Sequence, residues 1–158
     1  MDDQQAFTEL LHPSLTETYV RDAFIYDLYD GDTVYFHTNL GFSHWAAFQT
    51  GRLLDVWAAE VRPLVSRADG LVAKEYLDGL LGKYALNRHD PESLEIGRRL
   101  KIQTIRAPNK WFRGIPVEKK GKYGRWLITI IGADDSGLPY NLNEAMVEAG
   151  MAKSTRDA

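Results

Sequence analysis

The sequence predicts an α+β fold that is mainly β, with five strands, one helix after the third strand and a second helix after the fifth. The strands are indicated by short runs rich in Val, Ile, Phe, Tyr and Thr, bounded by turn-forming residues. The helices are indicated by apolar residues at helical spacing and by residues that cap helix ends. With 158 residues and no internal repeat, the chain has the size of one domain.

Three of the predicted strands precede the first helix and two follow it. Asp30-Gly31-Asp32 predicts a hairpin turn between the first two, because Asp and Gly tolerate the backbone angles of tight turns. Residues 39–50, which contain Gly and several aromatic residues, are predicted to be a connection. In chain order, the predicted strands are residues 19–28, 33–38, 52–57, 100–105 and 126–131.

The first helix is predicted over residues 69–84, with Asp69 placed to cap its N-terminus. The second helix is predicted to follow Asn141, with Glu144 three residues later, as in a capping box, and Gly150 at its end. The apolar side chains that recur at helical spacing in the first helix are Val72, Tyr76, Leu77, Leu80, Leu81 and Tyr84.

Five strands with a helix after the third are compatible with a barrel of the OB type. We expect residues 1–17 to form an N-terminal tail and residues 18–158 to form the barrel domain. Residues 87–97 and 107–124 are predicted to be loops, the second of them long and basic. Such barrels often bind nucleic acids, but a fold alone does not give a function.

Charge is distributed unevenly along the chain, although the net charge is only -3. Residues 98–125 carry ten basic side chains and one acidic side chain, whereas the remainder of the chain is strongly acidic. This polarity indicates a cationic face for a polyanion, the alternative being a solvated charged loop. The ten basic residues are Arg98, Arg99, Lys101, Arg106, Lys110, Arg113, Lys119, Lys120, Lys122 and Arg125.

Compartment signals in the sequence are few. Residues 1–11 are acidic and polar, unlike a secretory signal, and no apolar run approaches the roughly 18 residues of a membrane span. The absence of cysteine excludes disulfides and thiolate metal sites, and it fits a cytoplasmic protein. A secreted protein also can lack cysteine, so cytoplasmic localisation is an expectation based mainly on the missing signal.

Several short motifs resemble the staphylococcal nuclease (thermonuclease) family when they are taken together in order. Each motif alone is weakly specific, but their order and spacing agree with the predicted strands, and the resemblance spans about residues 18–153. The motifs are Asp30-Gly31-Asp32-Thr33, Arg52, Glu60, Lys122-Tyr123-Gly124-Arg125, Asn143-Glu144-Ala145 and Gly150-Met151-Ala152-Lys153.

The resemblance implies a metal-dependent nuclease that hydrolyses DNA or RNA with little base specificity. It implies that Glu60 is the general base and that Arg52 and Arg125 bind the phosphate, roles that suit a carboxylate and two guanidinium groups. It also implies that Ca²⁺, with Mg²⁺ or Mn²⁺ as alternatives, is bound by Asp32 with Asp30 in the outer shell. The expected substrate-binding residues are Lys119, Lys120, Lys122 and Tyr123.

One position departs from the family pattern at the proposed metal site. Trp57 occupies the place of the second calcium-binding aspartate, and an indole does not ligate calcium. Ala58 offers its backbone carbonyl instead. Asp55, two residues before Trp57, is an alternative metal ligand if the strand is shifted.

Two other functions remain open from the sequence. The Trp57 departure favours a nuclease-like barrel that binds nucleic acid or a protein partner without cutting, and an assembly scaffold is a third interpretation. Trp111 and Phe112, which lie between Lys110 and Arg113, are predicted either to stack on bases or to anchor the loop in the core. The sequence does not indicate an oligomeric state.

Overall fold

A computed structural model of the chain describes residues 18–60, 67–86, 98–121 and 124–154. The predicted tail, residues 1–17, and the predicted loop, residues 87–97, lie outside these ranges. In the described ranges the strands are β1 (Thr18–Asp30), β2 (Thr33–Gly41), β3 (His44–Leu53), β4 (Trp57–Ala58), β5 (Arg98–Phe112), β6 (Ile115–Glu118), β7 (Trp126–Ala133), β8 (Pro139–Asn141) and β9 (Ala152–Lys153). The helices are α1 (Arg67–Lys83) and α2 (Leu142–Glu148).

Five of the strands close into a barrel, in the order β1–β2–β3–β7–β5 and back to β1. Four of the pairings are antiparallel. The pairing of β3 with β7 is parallel and brings Arg52 opposite Leu127. With α1 after the third barrel strand and α2 after the fifth, the predicted mainly β, OB-type barrel is confirmed.

The core lies inside the barrel and beneath the two helices. Barrel strands contribute alternate side chains, as in Val34 and Phe36 of β2 and Ile128 and Ile130 of β7. Helix α1 adds Ala73, Leu77 and Leu81, and α2 adds Leu142 and Met146. Burying each large side chain contributes about 1.5–3 kcal/mol, so both helices are held to the barrel mainly by apolar contact.

The third strand differs from the prediction. It runs from His44 to Leu53 rather than over residues 52–57, and the predicted connection is instead a hairpin with β2. The chain turns at Gly41, Phe42 and Ser43, all with positive φ. Exposed aromatic side chains on this strand hide the alternation of apolar and polar residues by which a half-buried strand is recognised.

The basic segment after the fourth predicted strand also differs from the prediction. Strand β5 continues to Phe112, the chain turns at Arg113 and Gly114, and β6 returns alongside it. Gly114 has a φ of 82°, a conformation that glycine adopts without steric cost. Much of the predicted loop is therefore a projecting hairpin.

The helix ends agree with the predictions only in part. Helix α1 begins at Arg67, so Asp69 lies in its first turn and the prediction that Asp69 is the N-cap was wrong. A carboxylate in the first turn still interacts favourably with the helix dipole. The cap of α2 is confirmed, since the Asn141 side chain accepts a hydrogen bond from the Glu144 backbone N–H. No helix in the described ranges is long and apolar enough to cross a membrane.

Candidate active site

Two carboxylates are packed into the turn between β1 and β2. Asp30 and Asp32 are both buried, and the Asp32 backbone N–H donates to Asp30 Oδ1 at 3.1 Å. The Thr33 hydroxyl donates to Asp32 Oδ1 at 3.0 Å. The Leu53 backbone N–H donates to the Asp32 carbonyl at 2.8 Å, which fixes this turn against the end of β3.

Gly31 allows the turn to approach α1 and β4 closely. A Cβ at this position would lie 2.7 Å from the Cβ of Ala73 and 2.9 Å from the Cβ of Ala58. Any side chain would therefore push the turn away from both elements. The glycine is needed for space, and it brings the carboxylate pair next to the short strand that carries Trp57.

Arg52 joins the carboxylate turn to the segment that follows β3. Its side chain is only 8% exposed, and its Nη2 donates to the Val56 carbonyl at 2.9 Å. The same nitrogen lies 3.6 Å from Asp32 Oδ2, which also accepts a hydrogen bond from the Ala58 backbone N–H at 3.1 Å. Residues far apart in the sequence thus form one cluster, and the expected proximity of Asp32 and Arg52 is observed.

Trp57 covers this cluster. The guanidinium carbon of Arg52 lies 3.7 Å from the centroid of the indole ring, which is a close cation–π contact. Strand β4 is short but is held by pairing with β9, in which Lys153 is the partner of Trp57. At the position where the resemblance implies a carboxylate, this chain has an aromatic ring in contact with Arg52, the arginine to which the resemblance assigns phosphate binding.

The buried carboxylates of Asp30 and Asp32 affect whether this turn can bind a metal ion. The pKa of Asp30 is raised to about 7, mainly by burial and in addition by the side-chain hydrogen bond and the negative charge of Asp32. Two buried carboxylates held together in this way fit a divalent cation, because a cation relieves their repulsion. Among the described residues, however, no group of three acidic or histidine side chains is placed to hold a metal ion.

Glu60 and Arg125 are carried by two further segments near the cluster in the fold. Glu60 is exposed and lies two residues beyond Ala58, whose N–H is bonded to Asp32. Arg125 is half-buried and immediately precedes β7, two residues before Leu127, the partner of Arg52. Because Arg125 precedes the strand, this register brings its segment next to the end of β3 and does not determine the direction of its side chain.

Asp55, the alternative metal ligand, is positioned differently. It is exposed, and its φ of 55° ends β3 in a left-handed turn. It lines a groove of about 340 Å³ together with Asn143, Glu144 and Glu148. The carboxylate pair of Asp30 and Asp32 is not among the residues that line this groove.

Asn143 has a positioning role that sequence reasoning missed. It is buried in α2, where its Oδ1 accepts from the Ile130 backbone N–H at 3.0 Å. Its Nδ2 donates to the carbonyls of Leu54 and Ile128, both at 3.0 Å. The side chain thereby ties α2 and β7 to the chain just after Arg52. An amide inside an otherwise apolar helix face was the available signal.

The basic residues divide into paired and projecting groups. Arg98 forms an ion pair with Asp78, and Arg99 and Lys101 both pair with Asp22. The Lys120 ammonium lies 4.1 Å from the centroid of the Trp126 ring, and Lys119 is half-buried. Lys122 and Tyr123 lie outside the described residues. Part of the positive charge is therefore neutralised by the barrel itself.

The tip of the β5–β6 hairpin projects an aromatic and basic group into solvent. Trp111 is 54% exposed and Phe112 is 64% exposed, so neither ring anchors the segment in the core. Lys110 and Arg113 are exposed on either side, and the Arg113 guanidinium lies 5.3 Å from the centroid of Phe112. Of the two predictions for these rings, the exposed arrangement is the one observed.

Comparison with known proteins adds no family to this description. No protein-family model matches the chain, and no curated protein is significantly similar to it. A function for the site is therefore inferred from its own side chains and from the resemblance in its motifs.

Proposed function

We propose that this protein is a metal-dependent phosphodiesterase of the staphylococcal nuclease type that hydrolyses DNA or RNA with little base specificity. The observation that supports it is the cluster of Asp32, Arg52 and the segment leading to Glu60. These residues are separated in the sequence, and the proposed reaction needs them in one place. A barrel of the OB type is also compatible with nucleic-acid binding.

The side chains suit hydrolysis of a phosphodiester. Arg52 and Arg125 carry guanidinium groups, whose forked donors stabilise the charge that accumulates on the phosphoryl oxygens. Glu60 accepts a proton from the attacking water as the water oxygen bonds to phosphorus. The bond to the leaving oxygen then breaks, and that oxygen takes up a proton. By resemblance, the 5′-oxygen leaves and a 3′-phosphate remains.

A divalent cation completes the proposed site. Asp32 would hold it, with Asp30 beside it in the same turn. When bound, such a cation polarises the phosphate and favours formation of a nucleophilic hydroxide. Because Trp57 supplies no charged ligand, we expect weaker binding than in a site with two directly ligating aspartates.

Substrate binding is supported by the β5–β6 hairpin. Its exposed cations attract phosphates, and its exposed rings stack on bases of any identity. Contacts of these two kinds carry little sequence information, which agrees with low base specificity.

The decisive experiment is a digest of single- and double-stranded DNA and RNA with calcium, magnesium, manganese or a chelator. We expect cleavage with at least one metal and none with the chelator. Glu60→Gln should nearly abolish cleavage and leave binding close to normal, because a general base acts mainly in the transition state. Glu75→Gln, an exposed substitution on α1, is the matched control and should leave cleavage unchanged. Absence of cleavage with all three metals would overturn the proposal.

A second candidate function is binding of nucleic acid or a protein partner without cleavage. The stack of Trp57 on Arg52 favours it, as do the hydrogen bonds that already occupy both oxygens of Asp32. The same digest separates the two functions. A protein that binds nucleic acid in the presence of each metal without cutting it has the second function, binding without cleavage.

A further inference from the structure

Aromatic side chains cover the outer face of β1, β2 and β3. Tyr26 stacks on His37 with ring centroids 4.5 Å apart, and Phe48 meets His37 edge-on at 4.9 Å. Further along the same face, Phe24 stacks on Trp45 at 5.4 Å. We call these five residues the aromatic track. Their rings lie on the side opposite the core, so the hydrophobic core does not account for them.

Phe48 is held in a conformation that displays its ring. It is 77% exposed and has a φ of 57°, which is unusual for a bulky residue. It lies at an irregularity in the pairing of β2 with β3, where its backbone N–H donates to His37 Nδ1 at 2.9 Å. A strained backbone that exposes an apolar ring indicates a binding role more readily than a role in stability.

The aromatic track leads to the candidate active site. Strand β3 is regular from Gln49 onward, so Thr50 and Arg52 lie on one face of it, and Phe48 precedes this regular stretch. At about 3.3 Å per residue, four residues place Phe48 at most about 13 Å along the chain from Arg52. On β2, Tyr35 is the partner of Thr50 and Thr33 is the partner of Arg52. The rings therefore lie on the strands that lead to the candidate active site, in which Arg52 is buried beside Trp57.

Charge beside the aromatic track is slightly positive at one end. Arg99 is the partner of Phe24 in the pairing of β1 with β5, and Lys101 lies two residues further along β5. Both cations pair with the single carboxylate of Asp22, which leaves one net positive charge next to the rings. Asp27, exposed on β1, lies toward the other end. The attraction on this surface is therefore mainly stacking, with a small contribution from charge.

We propose that the aromatic track binds unpaired bases of single-stranded nucleic acid and guides the backbone of that strand toward Arg52. The inference rests on the proposed function and deepens it by naming the substrate class. Exposed rings in a row bind single strands without sequence preference, because every base has a face that can stack on an aromatic ring. Duplex bases are already stacked on one another, so they offer no face to Phe48 or Tyr26.

The test compares two exposed phenylalanines with similar backbones. Phe48→Asn removes a ring from the aromatic track, whereas Phe42→Asn removes a ring that is 97% exposed at the β2–β3 turn. Both positions have positive φ, which asparagine tolerates. Binding is measured by fluorescence anisotropy, with a chelator present, on an oligothymidylate of about 12 nucleotides, within the site sizes usual for such barrels.

We expect Phe48→Asn to raise the Kd for the single strand roughly 5- to 150-fold, the range expected for loss of one stacked base. Phe42→Asn should change it less than about twofold, and neither substitution should alter the weaker binding of a duplex of the same length. Tyr26→Ser removes a second ring of the aromatic track and leaves the backbone irregularity at Phe48 unaltered, although Tyr26 lies at an irregularity of its own in the pairing of β1 with β2. Circular dichroism melts establish that each variant is folded.

Several outcomes would overturn the inference. Equal changes in Kd for Phe48→Asn and Phe42→Asn would show that the aromatic track does not bind the single strand. Equal losses of affinity for single strand and duplex would show the same. If the protein sediments as a dimer that Phe48→Asn dissociates, with single-strand affinity unchanged, the surface joins two copies of the chain instead. Because binding is measured without cleavage, a protein that binds single strands through Phe48 but never cuts them refutes the proposed hydrolysis and leaves this inference standing.

Discussion

The guanidinium of Arg52 lies on the face of the Trp57 indole, 3.7 Å from the ring centroid, while one of its nitrogens is 3.6 Å from Asp32. An aromatic ring and a carboxylate thus hold the same arginine. A cation–π contact of this kind, largely removed from water, contributes about 2 kcal/mol. The position at which the resemblance implies a metal ligand therefore stabilises the arginine directly.

Replacing Trp57 by aspartate tests how far this position controls metal binding. We expect Trp57→Asp to bind calcium more tightly than the parent in the absence of substrate, because affinity rises with the charge of the ligands. The variant should also lose stability, since truncating a packed Trp costs about 3–5 kcal/mol. Calorimetric titration measures the first effect and thermal melts the second.

Trp57→Asn is the control for that experiment, because it removes the ring without adding a charge. If a folded Trp57→Asp binds calcium no better than Trp57→Asn, position 57 has no access to the metal. Loss of activity in Asp55→Ala would then identify Asp55 as the ligand.

The raised pKa of Asp30 predicts a dependence of stability on pH. Because the pKa of Asp30 is about 7 in the folded protein and the ordinary value for an aspartate is 3.8, the folded state binds the proton more tightly than the unfolded state. The contribution of Asp30 to stability is therefore fully present below about pH 4 and is lost as pH rises toward 7. Asp30→Asn, which keeps an oxygen to accept from the Asp32 N–H, should be more stable than the parent at pH 8 by up to a few kcal/mol.

Urea unfolding at pH 5 and pH 8 measures this effect. Asp27→Asn, on the exposed part of β1, is the control and should leave the difference between the two pH values unchanged. A parent protein whose stability does not fall between the two pH values would contradict the assigned shift.

Neutralising the basic segment before β7 should weaken binding through charge alone. Changing Lys119, Lys120 and Lys122 to glutamine is expected to lower affinity for nucleic acid and to reduce the salt slope by roughly 0.7–0.9 per lost phosphate contact. The measurement is anisotropy at several salt concentrations. The double variant Lys74→Gln with Lys83→Gln on α1 is the control. An unchanged salt slope in the triple variant would mean that the basic segment is exposed to solvent and makes no phosphate contacts.

Gly31 and Gly79 are two positions at which a Gly→Ala substitution tests whether the close approach of the turn to α1 requires a glycine. A Cβ at Gly31 would overlap the Cβ atoms of Ala73 and Ala58, whereas one at Gly79 meets nothing within 4 Å. We expect Gly31→Ala to cost about 1–3 kcal/mol and Gly79→Ala to stabilise α1 by up to about 1 kcal/mol. Thermal melts compare the two, and a neutral Gly31→Ala would show that the turn can move.

Local sequence signals predicted the parts of the molecule that are determined locally. The turn at Asp30-Gly31-Asp32 and the cap at Asn141 were predicted because their backbone angles and hydrogen bonds involve only neighbouring residues. The OB-type barrel was predicted from the number of strands and from the position of the helix after the third strand. The proximity of Asp32 and Arg52 followed from the resemblance.

Contacts between distant segments account for the parts that the sequence did not predict. Strand β4 has two residues and exists because Ala152 and Lys153 pair with it from the far end of the chain. The start of β3 was missed because Trp45 and Phe48 face outward, so burial does not explain their apolar character. The contact between Trp57 and Arg52 was therefore not predicted either, because it requires both the observed end of β3 and the short strand β4 that follows it.

The parallel pairing of β3 with β7 has a consequence for biosynthesis. Gly51 pairs with Trp126, about 75 positions later, so the barrel cannot close until most of the chain has left the ribosome. Pairings over such distances are slow to form, because the entropy of closing the intervening loop is lost before the contacts are gained. Arg52 and Arg125 lie on the two sides of this last seam. A nascent chain that ends before β7 therefore cannot bring together the two segments that carry Arg52 and Arg125.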